Sequence, residues 1–196
     1  MMNTKNLCKI IVLVGPKHSG KSTVGKKFAS LLDADFLDLD SCIEEQTGKS
    51  PRTLYKEGVD VFRSAELKTL QTIFEGALND TSMTVLATGG GIIDNAEAAI
   101  LLKEKSIIIN LEVSAATAWK RIIETSKISG ELPSFLQTDN PEETHRELHE
   151  RRSIAYKQFA AATVNADDMN IKTIAKQIQS QLRVMHHSCL SSNFPD

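Results

Sequence analysis

The sequence predicts a three-layer α/β protein, in which helices cover both faces of a five-stranded parallel sheet. Apolar runs of strand length alternate along the chain with longer segments whose apolar residues recur at helical spacing. The chain has 196 residues, of which 41% are hydrophobic and 24% charged, values typical of one globular domain with its own core. Because strands that alternate with helices form βαβ units, the sheet is expected to be parallel.

The strands are predicted where short apolar runs end at glycine or polar residues, at 9–14, 35–39, 84–87, 106–111 and 163–165. Helices are predicted from apolar periodicity and capping residues, at 21–32, 41–48, 51–78 with a break near Gly58, 95–103, 114–124, from 141 onward, and 171–185. The polar segment 125–140 shows no period, and loops of this length in compact domains are often lids. Residues 1–185 are thus predicted to form one domain, followed by a disordered tail at 186–196.

Composition argues against several classes of partner. The net charge is −2, whereas proteins that neutralise many nucleic-acid phosphates are usually basic. The apolar run at 10–14 is too short for a membrane span or a signal peptide. Cys8, Cys42 and Cys189 have no metal-ligand spacing, which favours reduced thiols. We therefore expect a cytoplasmic protein that acts on small molecules, without nucleic acid or membrane.

The segment from Gly15 to Ser22, GPKHSGKS, fits the phosphate-binding pattern GxxxxGK[ST] and lies between a predicted strand and a predicted helix. Glycines allow successive backbone N–H groups to point at one anion, and the helix N-terminus adds its positive dipole end. Lys21 would reach the β- and γ-phosphates, and the Ser22 hydroxyl would bind Mg²⁺. The motif predicts a P-loop NTPase-like fold, with strand order 2-3-1-4-5, and a phosphotransferase that uses ATP.

The predicted ATP-binding residues are those of the loop and the start of its helix: Gly15, Pro16, Lys17, His18, Ser19, Gly20, Lys21, Ser22 and Thr23. His18 is unusual, because a small residue would ease the curl of the loop, and no catalytic role is assigned to it.

Four further groups of residues have the chemistry of a substrate site. Asp38 and Asp40 are two residues apart on a predicted strand, so their carboxylates would face one side, although a solvated strand end has the same pattern. Arg63 and Glu66, at i and i+3 of a helix, would form an ion pair. The triplet from Gly89 to Gly91 ends a strand, where glycines permit close approach of a ligand. Arg152 follows the predicted lid.

In this order and spacing, these segments resemble the shikimate kinases, small P-loop kinases that phosphorylate the 3-hydroxyl of shikimate. The resemblance covers about 9–182 and includes LDLD at 37–40, GVDVFRSAE at 58–66, GGG at 89–91 and LHERRSIAY at 148–156.

The resemblance implies roles for individual residues. Asp38 would lie near Mg²⁺ with Ser22, and Asp40 would hydrogen-bond the substrate hydroxyls and act in catalysis with Lys21. Two arginines would bind the shikimate carboxylate, a pairing that suits the planar guanidinium fork: Arg63, held by Glu66, and Arg152. The glycine triplet, Gly89, Gly90 and Gly91, would contact the substrate ring. Arg121 would stack near adenine, although a helix-surface charge fits that position nearly as well.

The lid departs from the family pattern. Family members usually have an arginine there that closes over the ATP phosphates, and this chain has Leu132 in its place. Because a cation stabilises the charge that develops in phosphoryl transfer, Lys127 is a candidate replacement. The glutamate of the family's Gly-Glu pair is also replaced, by Val59.

Two alternatives to a shikimate kinase remain at this point. One is another small-molecule P-loop kinase, of the gluconate or nucleotide type, against which Arg63, Arg152 and the glycine triplet argue. The other is a nucleotide-binding module that has lost efficient catalysis. A monomer is expected, because no exposed apolar stripe indicates an interface.

Overall fold

The computed structural model describes residues 9–79, 82–167 and 170–191. Its five strands form one sheet in the order β2-β3-β1-β4-β5, and every neighbouring pair is parallel. The strands are β1 (Ile10–Val14), β2 (Asp35–Asp38), β3 (Thr84–Ala87), β4 (Ile107–Glu112) and β5 (Ala162–Asn165). The predicted parallel sheet and its strand order are therefore confirmed.

The helices cover the sheet on both faces. They are α1 (Lys21–Leu32), α2 (Leu39–Thr47), α3 (Pro51–Glu57), α4 (Val59–Asn79), α5 (Ala96–Lys105), α6 (Ala115–Ser129), α7 (Pro141–Phe159) and α8 (Ile171–Ser191). Side-chain caps start α2, α3, α5 and α6, where Asp38, Ser50, Asn95 and Ser114 each accept a hydrogen bond from a backbone N–H in the first turn. Gly48 and Gly130 end α2 and α6 in the left-handed conformation.

Two hydrophobic clusters lie on opposite faces of the sheet, which gives the three layers. On one face, Phe28 of α1 and Ile178 of α8 pack against alternate residues of β1 and β4. On the other face, Leu70 of α4, Leu102 of α5 and Tyr156 of α7 form the second cluster. All five residues of β1 are buried, as expected for a central strand that is covered on both sides.

The structure corrects three predicted boundaries. Strand β2 ends at Asp38 and α2 begins at Leu39, so the strand alternation expected to align Asp38 with Asp40 is absent. Helix α6 continues to Ser129, so the predicted lid at 125–140 is helical over its first five residues. Helix α8 ends at Ser191, beyond the predicted end at 185, and residues 192–196 of the predicted tail lie outside the described residues.

No helix in the described part of the chain is both long enough and apolar enough to cross a membrane. Cys42 is a free thiol, in agreement with the sequence, whereas the side chains of Cys8 and Cys189 lie outside the described part.

Candidate active site

The loop between β1 and α1 has the curled backbone that the motif predicts. Gly15 has φ 140°, and a Cβ atom there would collide with the carbonyl oxygen of Leu111. Gly20 caps α1 with φ 93°. His18 adopts φ 61°, a left-handed conformation that costs a non-glycine residue about 1–2 kcal/mol. The glycines thus meet geometric requirements of the loop, and His18 tolerates a conformation that glycine would adopt more readily.

Arg121 holds the strained part of this loop. Its Nη1 donates to the His18 carbonyl oxygen at 3.1 Å, and its Nη2 donates to the carbonyls of Ala166 and Asp167 at 3.2 and 3.1 Å. Burial and the nearby cations, Lys17 first among them, lower the pKa of His18 to about 4. His18 is therefore neutral at neutral pH. Through its three hydrogen bonds, Arg121 connects the loop to the segment that follows β5.

Lys21 is buried beneath the loop. Its Nζ donates to the carbonyl oxygens of Gly15 at 3.0 Å and Pro16 at 2.8 Å, and to Ser19 Oγ at 3.4 Å. Burial lowers the pKa of Lys21 to about 8, and Asp40 opposes the shift. The ammonium group is thus already directed at the concave loop, where phosphate oxygens can replace the carbonyls as its partners.

Ser22 and Asp38, the predicted metal ligands, are in contact. Ser22 Oγ donates to Asp38 Oδ2 at 2.5 Å, and Asp38 Oδ1 accepts from the Asp40 backbone N–H at 3.1 Å. A hydroxyl and a carboxylate are hard oxygen ligands, and Mg²⁺ usually takes one or two carboxylates together with substrate phosphates. The described residues contain no cluster of three or more His, Cys, Asp or Glu side chains that could hold a metal ion. This donor set fits Mg²⁺ bound together with a nucleotide.

Asp40 lies in the first turn of α2 and lines the same cavity as the loop. Burial, followed by the neighbouring charge of Asp38, raises the pKa of its carboxyl, while Lys21 and Lys17 oppose the shift. A carboxylate with a raised pKa accepts a proton more readily, which suits a group that faces an attacking hydroxyl.

The glycine triplet after β3 is packed against three functional groups. A Cβ atom on Gly89 would lie 3.2 Å from Asp40 Oδ1, and one on Gly91 would lie 3.2 Å from Arg152 Nη2. At Gly90 it would lie 2.7 Å from the backbone nitrogen of Lys17, too close without movement of the loop. The triplet therefore lets the P-loop, Asp40 and Arg152 converge.

Arg152 is positioned by an acid that sequence reasoning missed. Its Nη2 and Nε donate to Asp94 Oδ2 at 2.6 and 3.0 Å, and Arg151 Nη1 donates to Asp94 Oδ1 at 2.8 Å. Burial alone would raise the pKa of Asp94, but hydrogen bonds from Arg151 and Arg152 outweigh it and lower the pKa. The side chain of Arg152 is 17% exposed and lines the cavity, whereas that of Arg151 is 61% exposed and does not.

The expected ion pair between Arg63 and Glu66 is absent, so that prediction is wrong. Among the ion pairs of residues 9–79, 82–167 and 170–191, none joins the two, and Arg63 is exposed on α4 outside the cavity lining. Glu66 is 1% exposed and accepts from Asn95 Nδ2 at 2.9 Å. Burial raises the pKa of Glu66 to about 7, although the Asn95 hydrogen bond opposes it. Asn95 also donates to the Arg63 carbonyl at 3.0 Å, and so fixes the backbone rather than the guanidinium.

The cavity formed by these elements measures about 600 Å³. Its walls come from the P-loop, the helices α2, α3, α4 and α6, the glycine triplet, the segment after α6, and Arg152. Ser22 and Thr23, at the start of α1, line a separate open depression together with Lys26 and Lys172. The cavity therefore brings together seven of the predicted site residues, Lys17, His18, Asp40, Gly89, Gly90, Gly91 and Arg152.

The lid covers the cavity with an aromatic ring and an ion pair. Phe135 lies over Lys17, with 5.9 Å from Nζ to the ring centroid. Glu131 Oε1 is 2.6 Å from Arg52 Nη1 of α3. Lys127, the candidate replacement for a lid arginine, is exposed on α6 and is absent from the cavity lining, so the structure does not bring it to the site.

The chain is similar to known proteins over most of its length. The family model described as shikimate kinase matches residues 17–183. The shikimate kinase of Vibrio parahaemolyticus is 36% identical over 173 residues, covering 88% of this chain and 95% of that protein. That of Marinomonas sp. is 34% identical over 174 residues, covering 88% and 91%.

Solved structures show the same relationship. Shikimate kinase from Acinetobacter baumannii, in complex with shikimate, is 31% identical with a TM-score of 0.76, and 95% of each chain is covered. The enzyme from Bacteroides thetaiotaomicron is 27% identical with a TM-score of 0.74, over 89% of this chain and 98% of that one. A gluconokinase from Sinorhizobium meliloti, at 13% identity and a TM-score of 0.59, shares the fold alone. This chain belongs to the shikimate kinase family.

Proposed function

We propose that this kinase transfers the γ-phosphoryl group of ATP to the 3-hydroxyl of shikimate, giving ADP and shikimate 3-phosphate. One observation carries the proposal: a single cavity joins the phosphate loop to Asp40, the glycine triplet and Arg152. An acid beside the phosphates and an arginine further along the cavity suit an acceptor that bears both hydroxyls and a carboxylate. The family relative in complex with shikimate supports the same acceptor.

On the donor side, the loop N–H groups and the N-terminus of α1 bind the phosphates, and Lys21 neutralises their charge. Ser22 and Asp38 would hold Mg²⁺, which when bound neutralises charge on the phosphate oxygens. Arg121 keeps the loop curled through the His18 carbonyl, so in this structure it supports the nucleotide site through the backbone. Its predicted contact with adenine stays part of the proposal.

On the acceptor side, Arg152 binds the shikimate carboxylate with the guanidinium edge that Asp94 leaves free. Arg63 is a second candidate to bind this carboxylate. It follows Phe62, which belongs to the cavity wall on α4, and its exposed side chain is free to turn toward the cavity. Gly89 to Gly91 provide a surface on which the ring can approach the backbone.

The reaction requires one proton transfer. As the 3-hydroxyl oxygen bonds to phosphorus, the bond to the ADP oxygen breaks and the hydroxyl proton passes to Asp40. The raised pKa of Asp40 favours this acceptance. Phe135 and Pro133 of the lid limit access of water, which would otherwise hydrolyse ATP.

The proposal includes a monomeric enzyme of the cytoplasm, without nucleic-acid or membrane partners. Its support is the net charge of −2 and the sequence pI of about 6.2, together with a site sized for small molecules.

The decisive experiment is an ADP-release assay with Mg²⁺ and ATP, run with shikimate, gluconate and nucleoside monophosphates as acceptors. We expect release with shikimate and a product heavier by one phosphoryl group in mass spectrometry. Asp40→Asn should lower the turnover about 10²–10⁴-fold, the usual contribution of a proton-accepting group, while the exposed Asp60→Asn should not. Release only with another acceptor would assign a different kinase. ATP binding without release for any acceptor would indicate a nucleotide-binding module.

A further inference from the structure

Arg52 and Arg152, two of the three cations that line the cavity, already have a partner, and so does Lys21 beneath the loop. Lys21 donates to the Gly15 and Pro16 carbonyls beneath the loop. Arg52 forms an ion pair with Glu131 of the lid, and Arg152 forms one with Asp94. Each of these cations is therefore held in place by the protein itself.

Lys17 is the exception. Within the part of the chain that the structure describes, its ammonium group has no hydrogen bond or ion pair. Its Nζ lies over the face of Phe135, 5.9 Å from the ring centroid. Its backbone is fixed from below, because Gly90 lies against the Lys17 nitrogen and Cβ. Its side chain therefore extends from a rigid base into the space between the glycine triplet and the lid.

The Lys17 ammonium group is close to the charged groups of both the donor side and the acceptor side. Burial lowers the pKa of Lys17, and the charge of Asp40 opposes the shift. Lys17 in turn acts on the pKa of both Lys21 and Asp40. The ammonium group thus lies within electrostatic reach of the group that binds the donor phosphates and the group that faces the acceptor hydroxyl.

Phosphoryl transfer moves a highly charged group from the donor, bound by Lys21, to the acceptor hydroxyl, which faces Asp40. The equatorial oxygens of the transferred group carry negative charge throughout, and a cation aimed at them is worth about 10³-fold or more in rate. Lys21 approaches this group from the loop side. On the lid side, Leu132 has no charge and Lys127 is outside the cavity.

We propose that Lys17 is a further catalytic residue, whose ammonium group contacts the γ-phosphoryl oxygens from the lid side while Lys21 contacts them from the loop side. Phe135 covers Lys17 and excludes water from this contact, which strengthens its electrostatic effect. The shikimate part of this inference depends on the function proposed above, whereas the contact with the γ-phosphoryl group does not.

Steady-state kinetics with ATP and shikimate test the proposal. Lys17→Met should lower kcat about 10²–10³-fold, while the KM for shikimate changes less than about 3-fold. Lys17→Arg should retain at least about a tenth of the turnover, because the positive charge remains. Lys120, which is also exposed on α6, provides the matched control, and Lys120→Met should behave as wild type. A kcat of Lys17→Met within about 3-fold of wild type would overturn the proposal. A large loss of kcat in Lys127→Met that Lys17→Met does not share would overturn it as well.

Calorimetric titrations with Mg²⁺ and either ADP or the non-hydrolysable ATP analogue AMP-PNP test the contact without any acceptor. Lys17→Met should weaken AMP-PNP binding about tenfold or more and leave ADP binding within about 2-fold. Equal weakening of both nucleotides would show that Lys17 shapes the loop instead, and would reject the proposal. If wild-type enzyme failed to phosphorylate shikimate, the proposed function would fall, yet the two nucleotides would still decide the role of Lys17. Thermal unfolding of each variant confirms that it is folded.

Discussion

At the scale of single residues, the acids of this protein differ in what their surroundings do to them. Asp94 shares its carboxylate between Arg151 and Arg152, which lowers its pKa. Glu66 is 1% exposed and accepts a hydrogen bond from a neutral amide, so burial raises its pKa. Asp94 therefore orients a cation, whereas ionisation of the buried Glu66 carboxyl destabilises the fold.

Replacing Asp94 by asparagine should impair recognition of shikimate more than the chemical step. The amide still fills the space, but it loses the charge that fixes Arg152, so the arginine is less well oriented for the substrate carboxylate. We expect the KM for shikimate to rise about tenfold, equal to about 1.4 kcal/mol, with kcat changed less. Arg146→Met on the same helix is the matched control, because its 58% exposed side chain pairs with Glu143 and not with Asp94. An unchanged KM in Asp94→Asn would contradict the orienting role.

Glu66 should make folding stability depend on pH. Its pKa is about 7 in the folded protein and about 4.5 when unperturbed, so the folded state binds the extra proton between these values. The stabilising effect of that proton is complete below about pH 4.5 and is lost as the pH rises through 7. Glu66→Gln should therefore gain stability at pH 8 relative to wild type, on the order of 2 kcal/mol, and little at pH 5. Urea unfolding at the two pH values measures this, and an equal effect at both would contradict it.

At the scale of elements, the site is built where the P-loop and the turn after β3 meet. β1 and β3 are neighbours in the sheet, with Leu13 opposite Ala87, so the segments that follow them leave the same edge side by side. This edge is the carboxyl end of the parallel strands, where open α/β sheets usually bind ligands. Contact between Gly90 and Lys17 follows from that register.

A methyl group at Gly90 should therefore damage the nucleotide site. In Gly90→Ala the Cβ would lie 2.7 Å from the Lys17 nitrogen, so the loop must shift. Overpacking of this kind usually costs about 1–3 kcal/mol, and we expect weaker ADP binding in calorimetry as well. Gly76→Ala on α4 is a control in open space, where alanine in a helix should instead stabilise by about 0.5–1 kcal/mol. Equal ADP affinity in wild type and Gly90→Ala would contradict this account of the glycine triplet.

Elements were predicted from sequence more successfully than contacts between side chains. The apolar run of β1 and the caps at Ser50 and Ser114 are local signals, and the structure has the strand and both helices. Asp40 was predicted to lie on a strand, whereas the carboxylate of Asp38 caps a helix that begins two residues earlier than predicted. Asp94 has no local signal, because its partners are 57 and 58 residues away. Local spacing favoured a pair between Arg63 and Glu66, but Asn95, 29 residues away, binds that acid.

At the scale of the whole molecule, the sheet separates two cores, and its carboxyl edge brings together the loop after β1, α2, α4, the turn after β3 and α7. In the proposed function, the nucleotide site is formed mainly by the loop after β1, α1 and α6, and the acceptor site by α2, the turn after β3, α4 and α7. Ligands bound at this edge should therefore stabilise the molecule as a unit.

Thermal unfolding with ligands should show two separable effects. ADP with Mg²⁺ at 100 times its Kd should stabilise the fold by about 2.7 kcal/mol, and shikimate at a similar excess should add a comparable amount. Arg152→Met should remove the effect of shikimate and retain that of ADP, because Arg152 lies on the acceptor side. Loss of both effects would show that the two sides of the site are not independent, in contradiction to this division.

The packing of α8 on α1 has a consequence for how the protein is made. Ile174, Ala175 and Ile178 of α8 share a core with Val24 and Phe28 of α1, the helix that starts at the phosphate loop. While the ribosome is still adding α8, this face of α1 has no cover and is open to chaperones or to other nascent chains. Helix α1, which follows the phosphate loop, thus gains this part of its packing only after α8 has left the exit tunnel.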